Sequence, residues 1–316
     1  MGTTDFTPGD VFLFEHDNTC ISRLISLLSN SPISHAAMYF KDGEIVEEAS
    51  PTTGIRTKSV EGLKNAARLI HVRRYYRSDE SAQALVNAAQ KHLDAKQPYS
   101  LGNLVMVGVL LIFNQWKPEA RRAVKNLLSL ICILLAKAID ARTGGQGGAT
   151  CSQLVYEVYR DAGFRLHIVH KNAATGAESL RAAEPQSLAM ETLAEVEAGN
   201  ITDVELLEQN QVDASGSFDM EKLCCVILAV LEGGKNDTAM HDAVSPKELH
   251  ALVARFASLL YHLAHPAPAQ NAFGGDLLKR ALRYFIEHYA GFVSPGDLYA
   301  SCPDIKEEIA VLGKEE

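Results

Sequence analysis

Two runs rich in β-branched and aromatic residues flank the dipeptide Asp42-Gly43 within residues 33–49. Asp-Gly is a strong signal for a two-residue hairpin turn, because glycine adopts a positive φ without a steric penalty. If these two residues form the turn, counting outward pairs Lys41 with Glu44 and continues the ladder towards both ends. The pattern therefore predicts a β-hairpin centred on Asp42-Gly43.

The same count brings one histidine and one glutamate together. Side chains alternate between the two faces of a strand, so His35 shares a face with its diagonal neighbour Glu48, whereas Glu47 points to the other face. A carboxylate that orients an imidazole is part of a catalytic triad, which then needs a nucleophile elsewhere in the chain.

Cys151 is the candidate nucleophile. It follows the glycine-rich stretch 144–150 and opens a segment in which Leu154 and Val158 recur at helical spacing, with Gly163 as a natural C-cap. A cysteine at a helix N-terminus meets unpaired N–H groups and the positive end of the helix dipole, which lower the pKa of its thiol. The spacing predicts a thiolate at the start of a helix of about three turns. The alternative is a buried structural cysteine, the commoner role for this residue in general.

The remaining periodicity divides the chain into a mixed first half and a helical second half. Further strands are predicted at 9–14, 54–60, 67–76 and 164–169, and further helices at 20–28, 79–94, 190–198, 203–210, 219–231, 246–265 and 275–290.

Two runs, 101–116 and 124–139, are strongly apolar but shorter than the ~20 residues that cross a bilayer. They predict a buried helical hairpin. The alternative is an apolar cap over the active site, or a surface that meets acyl chains or a membrane.

Composition and charge narrow the classes of function. The content of 47% hydrophobic and 22% charged residues is ordinary for a globular protein, and a net charge of −9 without a basic run argues against a nucleic-acid partner.

The six cysteines lack the spacing of metal ligands, so neither a metal nor another cofactor is expected. The first residues lack the basic and apolar segments of a secretory signal, which predicts a cytoplasmic protein in the producing cell. Action outside that cell would need export without a signal peptide.

Four segments match, in order, the pattern of a known family: Pro8-Gly9-Asp10-Val11-Phe12-Leu13-Phe14, Ser34-His35-Ala36-Ala37-Met38-Tyr39 with Glu48-Ala49, Thr150-Cys151-Ser152-Gln153-Leu154-Val155 and Val293-Ser294-Pro295-Gly296-Asp297-Leu298. In this family the histidine hairpin precedes the cysteine helix, as it does here. Over residues 6–77, 97–166 and 291–303 the chain resembles the circularly permuted NlpC-type family of papain-like cysteine peptidases and amidases.

The resemblance implies an α+β fold with a permuted papain-like core, in which an antiparallel sheet packs on the cysteine helix. It also implies a triad of Cys151, His35 and Glu48 that cleaves amide bonds through a thioester. The backbone N–H of Cys151 is expected to bind the oxyanion, with Tyr39 and Tyr99 as candidates for a second donor. Asp10 is a further candidate, because the family's opening strand lies beside the active site.

The catalytic domain is expected at 1–172 and 291–316, around an inserted all-helical subdomain at 173–290. The expected substrate is a peptide, a peptidoglycan stem peptide or a lipid-like molecule. A secreted effector or toxin of this kind would bind an adaptor, chaperone or host protein through the insertion.

Two other classes of function stay open at this point. One is a thiol acyltransferase or lipid hydrolase of the lecithin:retinol acyltransferase-like type, which is favoured if the apolar helices 101–139 line the site. The other is a catalytically inactive interaction module, which predicts an unreactive thiol at Cys151.

Overall fold

The structure is a computed structural model of the 316-residue chain. It describes residues 5–50, 54–64, 66–75, 80–95, 102–113, 121–140, 151–168, 170–171, 178–179, 188–205, 224–225, 228–229, 245–265, 272–289, 293–305 and 307–313. Helices and antiparallel strands are both present, which confirms the α+β class.

The regular elements follow one another along the chain as β1 (Val11–Glu15), α1 (Cys20–Leu28), β2 (Ile33–Lys41), β3 (Glu44–Ser50), β4 (Gly54–Ser59), β5 (Ile70–Arg74), α2 (Glu80–Asp94), α3 (Gly102–Phe113), α4 (Arg121–Asp140), α5 (Cys151–Asp161), β6 (His170–Lys171), β7 (Glu178–Ser179), α6 (Leu188–Glu197), β8 (Asp203–Glu205), α7 (Pro246–Ala264), β9 (Ala272–Gly274), α8 (Gly275–Tyr289), α9 (Pro295–Ala300) and β10 (Glu307–Leu312).

The chain divides into two compact units, one of residues 1–103, 148–181 and 293–316 and the other of residues 104–147 and 182–292. This differs from the expected division, because residues 104–147 belong to the helical unit. Within this unit α4 packs against α7, and the ring of Phe256 of α7 lies against Gly108 of α3. The hydrophobicity of α3 and α4 is therefore accounted for by the core of the helical unit.

Two further expectations are corrected in detail. The predicted helix at 203–210 begins instead as the short strand β8, which pairs with β9. Residues 164–168, predicted as a strand, form no regular element. Within the described part of the chain, none of the helices combines the length and the apolar content that a membrane crossing requires.

A six-stranded antiparallel sheet in the order β10-β5-β1-β2-β3-β4 is the frame of the first unit. One face packs on α5, α2 and α9, with Ala36 and Met38 of β2 buried against Leu154 and Val158 of α5. The other face buries a second cluster that includes Phe12, Phe14, Ala37, Ile45 and Leu63. Burial on both faces explains why the runs in β1 and β2 are almost continuously apolar.

The hairpin turn forms at the predicted dipeptide, since Asp42 and Gly43 have φ values of 52° and 79°. Lys41 lies opposite Glu44, as predicted. The ladder then shifts by one residue, and Tyr39 lies opposite Ile45 rather than Val46. A bulge therefore leaves an extra residue, Phe40, in β2, and every later pair of this ladder differs from the predicted one.

α9 lies in the last segment of the first unit, residues 293–316, and packs against residues 29–31, which precede β2. Ser294 and Asp297 form a capping box at its start, with Ser294 Oγ accepting from the Asp297 N–H at 3.1 Å. A Cβ at Gly296 would lie 2.7 Å from Ser31 Cβ and 2.9 Å from Ser29 Cβ. The close approach of these two segments therefore requires glycine at this position.

We expect Gly296→Ala to lower the free energy of unfolding by about 1–3 kcal/mol, because the added methyl group has no room. Gly62→Ala is the matched control, since a Cβ at Gly62 would meet nothing within 4 Å. Thermal unfolding measures both variants. Equal melting temperatures for the two variants would contradict the close contact.

Candidate active site

His35 lies in the middle of the sheet and is held by the strands on both sides. It pairs with Phe14 in the β1–β2 ladder, and the two ring centres are 5.1 Å apart. The imidazole keeps 18% of its surface exposed. It is therefore fixed by packing and still accessible.

Glu47, not Glu48, is the carboxylate that contacts His35. Glu47 Oε2 lies 3.2 Å from His35 Nε2. Because the bulge at Phe40 places Glu47 opposite Ala37, Glu47 occupies the face of His35 and Glu48 the opposite face. The prediction that Glu48 orients the imidazole is wrong for this reason.

Arg56 holds Glu47 from the other side. The two residues lie opposite each other in the β3–β4 ladder, and Arg56 Nε and Nη2 donate to Glu47 Oε1 at 3.0 and 2.7 Å. Burial alone would raise the pKa of Glu47, but the hydrogen bonds of His35 and Arg56 and the positive charges of His35 and Lys58 lower it to about 2. Glu47 is thus an anion that keeps the imidazole in one orientation.

Cys151 is the first residue of α5, as predicted, and its side chain is buried. Ser152 fixes this end of the helix, because its Oγ donates to the buried carbonyl of Val293 at 2.7 Å. The segment that resembles the family's last motif therefore supports the start of the cysteine helix.

The thiol of Cys151 and the imidazole of His35 form a hydrogen-bonded pair. Burial raises the pKa of the Cys151 thiol, but the charge and hydrogen bond of His35, with the N–H groups of Ala36 and Ser152, lower it below its ordinary value. Burial lowers the pKa of His35, but the thiolate and Glu47 raise it to about 9. Because Glu47 occupies Nε2, Nδ1 is left for Cys151. Both shifts favour the charged form of the pair, a thiolate and an imidazolium.

Glu48 lies on the α5 side of β3 and is 4% exposed. Burial and the negative charges of Cys151 and Glu157 raise the pKa of its carboxyl to about 10. Its Oε2 has no hydrogen-bond partner among the residues that the structure describes. Glu48 is therefore a neutral acid close to the thiolate.

The structure places Asp10 and Tyr39, two of the other predicted site residues, away from His35 and Cys151. Asp10 is buried, and its carboxylate accepts from Arg74 Nε at 2.8 Å, from Arg74 Nη2 at 2.7 Å and from the N–H of Thr7 at 2.7 Å. Asp10 is thus a structural anchor for the start of β1.

The hydroxyl of Tyr39 accepts from the N–H of Gly43 at 2.9 Å, at the hairpin turn. Tyr39 is four residues from His35, or about 13 Å along the strand, so it is not an oxyanion donor. Tyr99 lies outside the described residues.

Three residues near the site, Arg56, Ser152 and Arg68, were not among the predicted site residues. Arg68 lies over the ring of Phe14, with its Cζ 4.9 Å from the ring centre, and beside Asp17. Burial lowers the pKa of Arg68. The negative charges of Asp17, Glu47 and Cys151 raise it, but by less. The alternation of Arg56 and Lys58 with uncharged residues in the predicted strand 54–60 is the one signal that could have indicated Arg56, since a neighbouring strand supplies cross-strand partners.

In the described part of the chain, no group of three or more His, Cys, Asp or Glu side chains is arranged to hold a metal ion. No model of a known protein family matches this chain, and a search of curated proteins gave no match.

We expect the Glu47 carboxylate to stabilise the fold at neutral pH and to lose this effect in acid. Its pKa is about 2 in the folded protein, below the ordinary value of 4.5, so its contribution is complete above pH 4.5 and is lost as the pH falls towards 2. The contribution is on the order of 3 kcal/mol. Denaturant unfolding of the wild type and Glu47→Gln at several pH values measures it.

The difference in unfolding free energy between wild type and Glu47→Gln should shrink steadily below pH 4.5. A difference that stays constant from pH 7 to pH 3 would show that Glu47 is not selectively stabilised as an anion.

Proposed function

We propose that this protein is a cysteine hydrolase of amide bonds that belongs to the circularly permuted NlpC-type papain-like family. The observation that carries the proposal is the chain of contacts from Glu47 to His35 to Cys151, with Cys151 at the first residue of a helix. The order of the histidine hairpin and the cysteine helix, and the packing of the antiparallel sheet on α5, also support this family.

The pair of Cys151 and His35 supplies both charges that the first step needs. The thiolate attacks the substrate carbonyl, so that a C–S bond forms and the carbonyl π electrons move to oxygen. The imidazolium of His35 then gives its proton to the departing nitrogen as the C–N bond breaks. Water, deprotonated by His35, hydrolyses the resulting thioester and restores the thiolate.

Glu47 and the helix start contribute without reacting. Glu47 holds the imidazole through Nε2 and stabilises its positive charge, as the third member of a triad does. The N-terminus of α5 presents N–H groups and the positive end of its dipole to the thiolate and to the developing oxyanion.

Among the described residues, no contact favours acyl transfer to lipids over amide hydrolysis. The apolar residues of α3 and α4, which kept that alternative open, are accounted for by packing within the helical unit. We therefore propose peptide amides as substrates, with peptidoglycan stem peptides as the first to be tested.

Incubation with purified peptidoglycan fragments, followed by mass spectrometry, tests the substrate class. We expect a new amine and a new carboxylate in wild type and intact fragments with Cys151→Ala. If the protein cleaves unrelated peptides but not the fragments, amide hydrolysis is supported and peptidoglycan is excluded as the substrate. Acyl transfer to an added lipid without hydrolysis would overturn the proposed reaction.

The reactivity of Cys151 tests the proposed thiolate without any substrate. We expect iodoacetamide to alkylate Cys151 rapidly at pH 6, because His35 lowers the pKa of the thiol. His35→Ala should slow the reaction at pH 6 by about 100-fold or more, since an ordinary thiol is almost fully protonated there. Peptide mapping by mass spectrometry across pH 5–9 follows the alkylation.

Cys302 is an internal control, because it is as buried as Cys151 and burial raises the pKa of its thiol to about 12. It should stay unlabelled under the same conditions. Slow labelling of Cys151 that rises only near pH 8.5 and is the same in His35→Ala would favour an inactive interaction module.

A further inference from the structure

Glu48 is a buried carboxyl group that the proposed triad does not use. Its side chain belongs to the face of β3 that packs on α5, the helix that carries Cys151. It is 4% exposed, and its Oε2 has no hydrogen-bond partner among the described residues. A buried polar atom without a partner is costly, so such an atom is a candidate for contact with a ligand.

The surroundings of Glu48 determine its protonation. The titratable groups that face it from α5 are Cys151 and Glu157, and both bear negative charge when ionised. On β4 its opposite residue is Ile55, which has no charge. Arg56 is directed to Glu47 on the other face of the sheet. No cation among the described residues faces Glu48, and the carboxyl keeps its proton at neutral pH, in agreement with its raised pKa.

A thioester mechanism needs at least two hydrogen-bond donors for the oxyanion, and the N–H of Cys151 supplies one. Tyr39 is engaged at the hairpin turn and cannot supply the second. We infer that protonated Glu48 is the second oxyanion donor of the proposed hydrolase and donates its carboxyl O–H to the substrate oxygen. This inference rests on the proposed function and adds a catalytic residue to it.

The role of Glu48 is limited to the tetrahedral stage. When the thiolate attacks, the C–S bond forms and the carbonyl π electrons become a lone pair on oxygen, which accepts the hydrogen bond from Glu48. When that lone pair re-forms the carbonyl, the C–N bond breaks and the nitrogen takes the proton of His35. Glu48 keeps its own proton throughout.

Two reagents distinguish a residue that donates to the oxyanion from a residue that only stabilises the thiolate. Acylation of Cys151 by p-nitrophenyl acetate passes through a tetrahedral oxyanion, whereas alkylation by iodoacetamide is a direct displacement without one. We expect Glu48→Met, which has no donor, to slow acylation by about 100-fold or more and to leave the rate and pH profile of alkylation unchanged. Glu48→Gln keeps an N–H donor and should acylate at least tenfold faster than Glu48→Met.

Acylation by Glu48→Met at the wild-type rate would overturn the inference, as would a parallel loss of alkylation. Equal loss in Glu48→Gln and Glu48→Met would also overturn it. These outcomes leave the proposed function intact, because the wild-type thiol still reacts with both reagents. A wild-type thiol that reacts rapidly with neither reagent would overturn the proposed function itself.

The pH dependence of stability tests the protonation state even if Glu48→Met does not fold. A carboxyl with a raised pKa favours the folded state below the ordinary pKa of 4.5, and this effect is lost as the pH rises towards about 10. The melting temperature of Glu48→Gln minus that of wild type should therefore increase from pH 5 to pH 8. A constant or shrinking difference would mean that Glu48 is ionised, and it would exclude Glu48 as the donor.

Discussion

The β2–β3 ladder contains one extra residue, Phe40, and the arrangement of the candidate site depends on this bulge. The bulge moves β3 by one position relative to β2, so that Glu47 reaches the imidazole of His35 and Glu48 faces α5. A ladder without the bulge would exchange the two glutamates between the faces of the sheet. A local feature of the backbone thus assigns opposite roles to adjacent residues of the same type.

The two glutamates show how neighbours decide the charge of a buried group. Burial opposes the charged form of both carboxyls. Glu47 meets Arg56 and the imidazolium of His35, which outweigh this effect and hold it as an anion. The charged neighbours of Glu48 among the described residues are Cys151 and Glu157, both negative when ionised, so that Glu48 retains its proton. One face of the sheet therefore orients the histidine, while the other offers a neutral acid beside the cysteine helix.

Much of this arrangement could be predicted from local sequence. Asp42-Gly43 indicated the turn because its backbone conformation is local, and the position of Cys151 at a helix start followed from the apolar period of the helix. The choice between Glu47 and Glu48 could not be predicted, because a hydrophobic pattern does not reveal a bulge.

Features that depend on residues far apart in the sequence could not be predicted either. The Asp10 carboxylate pairs with Arg74, which is far along the chain, and this ion pair makes Asp10 an anchor of the fold. The apolar runs 101–116 and 124–139 indicated buried helices, but only the fold shows that α4 packs against α7 and that Gly108 of α3 lies against Phe256. Periodicity identifies a buried face without identifying what covers it.

The proposed ion pair of Cys151 and His35 can be measured directly at the imidazole nitrogens. Nitrogen-15 NMR of the folded protein should show both nitrogens of His35 protonated at pH 7, with a titration midpoint near pH 9 that falls in Cys151→Ala. A midpoint near 6.5 that is the same in both proteins would mean that the thiol is neutral, and it would contradict the account.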